Sequence, residues 1–244
     1  MSFCQSDATH GNIKTQNMRT KTLLCAAALA AGVATSMAQS NVYSLNVVGY
    51  VNVPVPVGYS LIANPLNAGN NTVSNVFNSA VASGAAVGST VYTWNGTSLT
   101  PNQNDQFDTT WQNPSLVLAP GTGFFFYNPN APFTNTFVGE VNQGALSKSI
   151  PTGYSVHSSL VPLSGFLQTD LGITNAVPGD TVYLWTGTSL APCVKDQFDG
   201  TWQPLNPPFS SDPNKGPVIN IGQGFFYQNA SGAAISWSRN FTVQ

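Results

Sequence analysis

The sequence predicts an all-β fold built from two tandem homologous modules, sandwich-like or barrel-like, each with at most one short helix. Residues 88–112 return at 179–203 with 17 of 25 positions identical and without a gap. Short runs rich in Val, Thr, Tyr, Phe and Trp alternate with Gly, Pro and Asn turns in both copies, a pattern typical of sandwiches and barrels. Because an internal repeat sets the architecture of a chain, each copy is expected to form one module.

A leader with a cleaved secretory signal is predicted in residues 1–38, with Met18 as the expected true start. Two basic residues lie between Met18 and Thr22, the apolar run Leu23 to Val33 follows them, and Ser36-Met37-Ala38 provides a cleavage site. This order is typical of a signal peptide. The apolar run has 11 residues, whereas a membrane-spanning helix needs about 20. We therefore expect an exported protein, extracellular, cell-surface or periplasmic, with no membrane insertion after cleavage.

The mature chain is predicted to divide into module 1, residues 39–142, and module 2, residues 143–244. The matching blocks outside the main repeat are Gly-Tyr-Ser at 58–60 and 153–155 and Gly-x-Gly-Phe-Phe at 121–125 and 222–226. Residues 48–52 also resemble 138–142. This last match suggests that neighbouring modules share a strand and dock without a flexible linker.

Local patterns predict the elements within each module. The residues with helical spacing are Val73, Val76, Phe77, Ala80 and Val81, between a candidate N-cap at Thr72 and a stop at Gly84. Asn95-Gly96 between β-rich flanks favours a type I′ hairpin turn, and Thr186-Gly187 is the weaker signal in the second copy. The Gly-x-Gly blocks predict a turn before an aromatic strand. They do not predict a nucleotide site, because a strand follows them instead of a helix.

The mature chain is poor in charge. It keeps four basic and eight acidic residues, a formal net charge of −4, and has no Lys or Arg between residues 39 and 147. Nucleic-acid binding and attraction to anionic membranes both depend on basic side chains, so neither partner is expected. The polar surface must come from neutral side chains, including 23 Asn. Such a surface hydrogen-bonds but barely repels a copy of itself.

Four tryptophans, Trp94, Trp111, Trp185 and Trp202, recur in equivalent pairs. Exposed aromatic rings beside Asn, Gln or Asp are one way to bind a sugar ring, so a carbohydrate-binding face is one interpretation. Packing in the core of a charge-poor β module is the other, with each indole N–H donating to a backbone group. The sequence leaves both open, because it does not show which face of each strand is exposed.

The repeated motif Asp-Gln-Phe-Asp supplies Asp105, Asp108, Asp196 and Asp199. Carboxylates near amide and carbonyl oxygens suit calcium, so a calcium site is one hypothesis and the one candidate cofactor. Alternatively, the aspartates hold a turn by accepting bonds from local backbone N–H groups, while Phe107 and Phe198 enter the core. Duplication does not separate the two, because both copies inherit fold and function together.

No catalytic residues are predicted. The single mature histidine, His157, corresponds to Ile62 in the first copy and is expected to pack rather than to act as a base. Cys193 corresponds to Asn102 and is expected to be an incidental loop or surface residue; as the one mature cysteine, it cannot form an internal disulfide. No spacing selects a carboxylate pair with Glu140 for glycoside hydrolysis. A hydrolytic enzyme is therefore the third interpretation of function.

Three blocks carry a family resemblance: Gly58-Tyr59-Ser60-Leu61-Ile62-Ala63-Asn64-Pro65, Tyr92-Thr93-Trp94-Asn95-Gly96 and Pro120-Gly121-Thr122-Gly123-Phe124-Phe125. With them the chain resembles uncharacterised secreted bacterial β-repeat modules, over most of residues 48–243. The second copy departs from these blocks at 156–159 and at Ile221. The resemblance implies a fold and no activity. We expect a non-catalytic exported structural or interaction protein of the cell surface, envelope or matrix. Its expected partners are surface or matrix components, with glycans and self-association as possibilities.

Overall fold

The structure, a computed structural model, describes residues 47–206 and 208–243, and it is all-β. The predicted leader, residues 1–38, lies outside the described residues. The described residues belong to one compact unit, Asn46–Gln244. Within them, no helix has the length and apolar character needed to cross a membrane. The predicted fold class is confirmed, and the strands named below pair antiparallel.

The strands form two sets with the same order along the chain. The first set, with two short helices, is β1 (Val48–Val55), β2 (Gly58–Ala63), α1 (Val73–Val76), α2 (Asn78–Ala82), β3 (Thr90–Trp94), β4 (Leu99–Gln103), β5 (Gly123–Asn128) and β6 (Phe133–Glu140). The second is β7 (Gly144–Ile150), β8 (Gly153–Ser158), β9 (Gly165–Phe166), β10 (Thr181–Trp185), β11 (Leu190–Val194), β12 (Ser211–Asp212), β13 (Gly216–Ile219), β14 (Gly224–Asn229) and β15 (Ile235–Phe241).

Each set builds a four-stranded sheet and a two-stranded ribbon. The sheets have the orders β2-β5-β3-β4 and β8-β14-β10-β11, and the ribbons are β1-β6 and β7-β15. The second set adds a small sheet of β12, β13 and β9. Residues 141–143 join β6 to β7, so the boundary predicted after Asn142 falls in a connection between strands.

The expectation of a strand shared between modules is wrong. The strand β6 pairs with β1 along its whole length, and β7 pairs with β15, so each half closes its own ribbon. The similar residues 48–52 and 138–142 therefore belong largely to two strands of one ribbon. The two halves instead contact each other face to face through their four-stranded sheets.

The side chains of the aromatic strand β5 alternate between the two faces of its sheet, and each face packs against an apolar layer. Phe124 and Phe126 point into the core of the first half, together with Val55 of the ribbon. Phe125 points to the opposite face and packs against the second half. Because successive side chains of a strand leave on opposite faces, a continuous Phe-Phe-Phe run fits a strand buried on both sides. The equivalent strand β14 behaves in the same way, with Phe225 inward and Phe226 at the contact.

The helical segment is broken at Phe77, so the single predicted helix is two short ones. Phe77 is fully buried and has a non-helical backbone (φ −111°, ψ 12°) between α1 and α2. Its ring packs against Phe126 at 4.7 Å between centroids and against Trp111 at 6.1 Å. The predicted apolar spacing is confirmed by the burial of these residues, and Gly84, with φ +81°, follows the helices. Thr72 takes the N-cap position without a side-chain cap.

The hairpin of the first copy is wider than predicted. Trp94 pairs with Leu99, so four residues, 95–98, form the loop in place of a two-residue type I′ turn. The Asn95 side chain accepts hydrogen bonds from the backbone N–H groups of Thr97 (3.0 Å) and Ser98 (2.9 Å). In the second copy the Thr186 hydroxyl accepts the two equivalent bonds, which explains why Thr replaces Asn without changing the loop.

The two four-stranded sheets meet at a pair of glycines. A Cβ atom on Gly123 would lie 2.7 Å from the carbonyl O of His157 and 3.1 Å from the Cα of Gly224. A Cβ on Gly224 would lie 3.1 Å from the carbonyl O of Ile62. The second glycine of each Gly-x-Gly block is therefore explained by close approach of two backbones, which any side chain would separate.

Reciprocal backbone hydrogen bonds flank this glycine contact. The N–H of Ala63, at the end of β2, donates to the carbonyl O of Gly222 at 2.8 Å. The N–H of Ser158, at the end of β8, donates to the carbonyl O of Gly121 at 3.1 Å. The same bond is made once in each direction, so the two halves are related by an approximate twofold axis at the glycines.

We predict that Gly123→Ala lowers the free energy of unfolding by about 1 to 3 kcal/mol, the range for overpacking a tight site. Gly224→Ala should cost less, because its closest contacts are longer. Elsewhere in a strand, Gly to Ala is neutral or stabilising. The matched control is Gly232→Ala, where a Cβ would meet open space, so it should change stability by less than about 0.5 kcal/mol. Urea denaturation of the three variants measures these differences, and equal stabilities for Gly123→Ala and Gly232→Ala would contradict the close contact.

Candidate functional site

Two equivalent aromatic pockets open on either side of the glycine contact. One, of about 350 Å³, is lined by Tyr59, Tyr92, Leu99, Phe125 and Trp185. The other, of about 390 Å³, is lined by Tyr154, Tyr183, Leu190, Phe226 and Trp94. Each lining residue of one pocket has its repeat counterpart in the other. We call these cavities the twin aromatic pockets.

Each twin aromatic pocket is built by both halves of the chain. Four side chains come from one four-stranded sheet, and the tryptophan comes from the hairpin of the other half. The indole N–H of Trp94 donates to the carbonyl O of Tyr154 at 3.0 Å, and that of Trp185 donates to the carbonyl O of Tyr59 at 2.9 Å. These two bonds position the tryptophans, so the pockets exist because the sheets are docked.

The rings inside the pockets pack edge to face. Trp185 meets Phe125 at 5.1 Å between ring centroids with planes at 86°, and Trp94 meets Phe226 at 5.6 Å and 78°. Tyr59 and Tyr154 form the open side, with 44% and 45% of their surface exposed. Such arrangements leave ring faces and edges available to another aromatic group, an interaction worth about 0.5 to 1.5 kcal/mol beyond burial.

The pockets are electrically neutral. Their lining residues include no Asp, Glu, Lys, Arg or His. Burial, followed by the hydroxyl of Tyr59, raises the pKa of Tyr92, and burial with the hydroxyl of Tyr154 raises the pKa of Tyr183 to about 12. Tyr92 and Tyr183 therefore stay protonated near neutral pH, and the Tyr183 hydroxyl donates to the side-chain O of Gln228 at 2.9 Å. This chemistry suits binding of an uncharged, largely apolar group.

The structure divides the four predicted tryptophans into two classes. Trp94 and Trp185 are half-buried in the twin aromatic pockets. Trp111 and Trp202 are buried, at 5% and 1% exposure, one in the core of each half. The hypothesis that all four form a carbohydrate face is therefore wrong for this second pair, because a ligand cannot stack on a ring enclosed by the core.

The four predicted aspartates hold tight turns. The carboxylate of Asp105 accepts from the backbone N–H of Phe107 at 2.7 Å, and that of Asp108 accepts from the backbone N–H of Thr110 at 2.8 Å. Asp196 and Asp199 repeat these bonds at 2.7 and 2.8 Å. Hydrogen bonds from Thr110 and Thr201 lower the pKa of Asp108 and of Asp199, so these carboxyl groups are ionised at neutral pH.

The calcium hypothesis for these turns stays a prediction. Among the described residues, no group of three or more His, Cys, Asp or Glu side chains is placed to hold a metal ion. One oxygen of each aspartate is already engaged by the turn backbone.

The expectation that Phe107 and Phe198 enter the core is wrong. Both rings project into solvent, with exposures of 87% and 99%. The turn geometry directs them outward, since the preceding aspartates bond the backbone N–H of these phenylalanines. Stability of the fold therefore gives no reason for phenylalanine at either tip.

Buried ionisable groups of the second half are structural. His157 is 2% exposed and packs between Phe225 and Trp237, as expected for a packing histidine. Its Nε2 lies 2.7 Å from the Ser155 hydroxyl. Burial, and then the charge of Lys148, lowers the pKa of His157 to about 3. Lys148 reaches across to the first half, where its ammonium donates to the carbonyl O of Gly121, and burial lowers its pKa to about 8.

Cys193 is buried, so its expected position in a loop or on the surface is wrong. It lies on β11 in the core of the second half, and its thiol donates to the carbonyl O of Gln203 at 3.0 Å. Burial raises the pKa of the thiol to about 12. Because the thiolate is the reactive form, this cysteine is inert at neutral pH.

Comparison with known proteins adds no relative. No protein-family model, curated protein or solved structure matches the chain significantly. The resemblance to secreted β-repeat modules therefore stays a prediction from its three sequence blocks.

Sequence reasoning missed most of the pocket residues, although a signal for them was present. Tyr59, Tyr92, Leu99 and Phe125 all recur unchanged in the second copy. Each lies on the face of its strand opposite to the module core. These strands are apolar on both faces, and the apolar residues of the outward face recur in both copies. This pattern indicates that the outward face is also buried.

We predict that the protein loses stability as the pH falls from 6.5 toward 4, because His157 binds a proton in the unfolded chain and not in the folded one. The loss should approach about 1.4 kcal/mol per pH unit. Lys148 is protonated in both states in this range, and Asp108, Asp170 and Asp199, whose pKa values are lowered in the folded chain, add to the loss below about pH 5. His157→Ile, which installs the residue of the first copy, should flatten the dependence. Urea denaturation at several pH values measures it, and an unchanged slope in the variant would assign the effect elsewhere.

Proposed function

We propose that this chain is a non-catalytic exported protein that binds components of the cell surface, envelope or extracellular matrix through its twin aromatic pockets. One observation carries the proposal: each pocket needs a tryptophan from one half and four side chains from the other. Duplication followed by docking therefore creates two binding sites that a single module lacks. Two equivalent sites on one rigid unit also favour contact with a repetitive or multivalent partner.

The chemistry of the pockets favours binding over catalysis. General acid–base catalysis needs a group that titrates near the working pH. The pocket tyrosines Tyr92 and Tyr183 have raised pKa values, and His157 lies buried in a core outside the pockets. The apolar rings and neutral hydroxyls instead provide a desolvated surface with a few oriented hydrogen-bonding groups.

We expect labelled protein to bind envelope or matrix material from the cells that produce it, and the variant Tyr59→Ser/Tyr154→Ser to bind at least tenfold more weakly. Both side chains are half exposed, and their carbonyl groups still accept the indole bonds, so the fold should persist. Co-sedimentation measures the binding. Tyr50→Ser is the matched control, because Tyr50 is 72% exposed and lies outside the pockets. Equal binding by the pocket variant and the control would refute the proposal.

A carbohydrate ligand is the second candidate. It is favoured by the half-buried rings of Trp94 and Trp185, since each of them lies beside two tyrosine side chains in an open cavity. A sugar ring can stack on such rings while hydroxyl groups bond its edge. The predicted aspartates and the buried Trp111 and Trp202 take no part in this version of the site.

For the carbohydrate candidate, we expect a panel of purified polysaccharides to contain at least one binder whose affinity falls at least tenfold in Tyr59→Ser/Tyr154→Ser. Affinity electrophoresis in gels containing each polysaccharide measures this. The Tyr50→Ser control should migrate like the parent protein. A panel without any binder, or a binder that ignores the pocket variant, removes the carbohydrate candidate.

A further inference from the structure

The tips of the two Asp-Gln-Phe-Asp turns carry unusually exposed rings. Phe198 and Phe107 have the highest exposures among the large hydrophobic side chains that the structure describes. Eight of the 25 positions in the main repeat differ between the copies, yet both copies keep this motif unchanged. Since neither ring contributes to a core, an apolar side chain at these tips points to a contact with something outside the fold.

The rings are held on rigid supports. Asp105 accepts from the backbone N–H groups of both Phe107 and Asp108, at 2.7 and 3.2 Å. In the second copy Asp196 accepts the equivalent bonds at 2.7 and 3.3 Å. Because the backbone is already ordered, inserting such a ring into a partner costs less conformational entropy than ordering a flexible loop. We call Phe107 and Phe198 the anchors.

The twin aromatic pockets match the anchors in number, size and chemistry. There are two of each, and a cavity of about 150 Å³ is already large enough for benzene, so pockets of about 350 and 390 Å³ admit a phenyl ring. The pocket lining is uncharged and rich in aromatic rings, which pack favourably against another ring. A phenyl group also leaves no polar atom unsatisfied inside.

An anchor does not occupy the pocket of its own half, because its ring is almost fully exposed. The strand β4 begins at the pocket residue Leu99 and ends at Gln103, just before the turn that carries Phe107. At about 3.3 Å per residue, the four steps from Leu99 to Gln103 span roughly 13 Å. The strand β11 relates Leu190 to Phe198 in the same way. Leu99 and Leu190, on one side of each pocket, thus lie at the opposite end of the edge strand from the anchor, and the exposures of 87% and 99% show that neither anchor fills a pocket of its own molecule.

We propose that the anchors of one molecule insert into the twin aromatic pockets of a second copy of this chain. The proposal rests on the proposed function, and it names the partner. A knob and a hole on different parts of one surface give head-to-tail contacts, which extend into open chains when the rotation does not close. The low charge of the chain opposes such assembly only weakly. The partner molecule is then a structural component of the same cell-surface or matrix layer.

We expect the purified protein to self-associate between micromolar and millimolar concentration, measured by sedimentation velocity. Phe107→Ser/Phe198→Ser should raise the dissociation constant at least tenfold. Leu99→Glu/Leu190→Glu should do the same, because it places a carboxylate at the pocket rim against the ionised aspartates of the tip. Both pairs of positions are exposed, so the variants should fold. Tyr50→Ser should associate like the parent.

Mixing the two variants gives the sharpest result. The anchor variant keeps its pockets and the pocket variant keeps its anchors, so the mixture should form mixed complexes at concentrations where each variant alone associates at least tenfold more weakly than the parent. A parent protein that is monomeric at millimolar concentration, or variants that do not complement each other, would overturn the proposal. The matrix-binding experiment with Tyr59→Ser/Tyr154→Ser is independent: its success beside a monomeric parent would leave the proposed function standing with a partner other than this chain.

Discussion

The contact between Gly123 and Gly224 is the constraint on which the rest of the structure depends. With no Cβ atom at either position, the backbones of the two four-stranded sheets approach closely enough for reciprocal hydrogen bonds at the ends of β2 and β8. That approach brings each hairpin tryptophan within reach of a carbonyl group of the other half. The twin aromatic pockets follow from this geometry, since each is closed on one side by the tryptophan that crosses over.

The repeat keeps the pocket residues unchanged, and it tolerates a larger change of chemistry at some core positions. Ile62 and His157 occupy equivalent positions, paired with Phe124 and Phe225, yet one is aliphatic and the other an uncharged imidazole. The second core likewise contains a buried Asp180 that accepts a 2.6 Å hydrogen bond from the hydroxyl of Tyr227. Such changes affect contacts within one half only. A change at the docking face must instead suit both halves at once, which explains why the pocket residues recur.

The described part of the chain is held together by three stacked apolar layers. One lies inside each half, and the third, centred on Leu61, Phe125, Val156 and Phe226, lies between the halves. Cys193 is part of one of these layers and is unreactive. The described surface carries few charges, and its exposed large apolar side chains include the anchors as well as Val48, Tyr50 and Val138 on the β1-β6 ribbon. A surface with few charges does little to keep two molecules apart.

Sequence patterns alone determined the all-β class, the repeat and the apolar face of the helical segment, and they offered the aspartate-held turn as one of two interpretations. These depend on residues close together in the chain, where strand alternation and side-chain-to-backbone bonds act locally. Tertiary structure decided which tryptophans meet solvent, that Phe107 and Phe198 point outward, and that Cys193 is buried. The indole partners of Trp94 and Trp185 are 60 and 126 residues away. Alternation shows that Phe125 opposes Phe124, but it does not show what covers Phe125, because that surface exists only after the two halves dock.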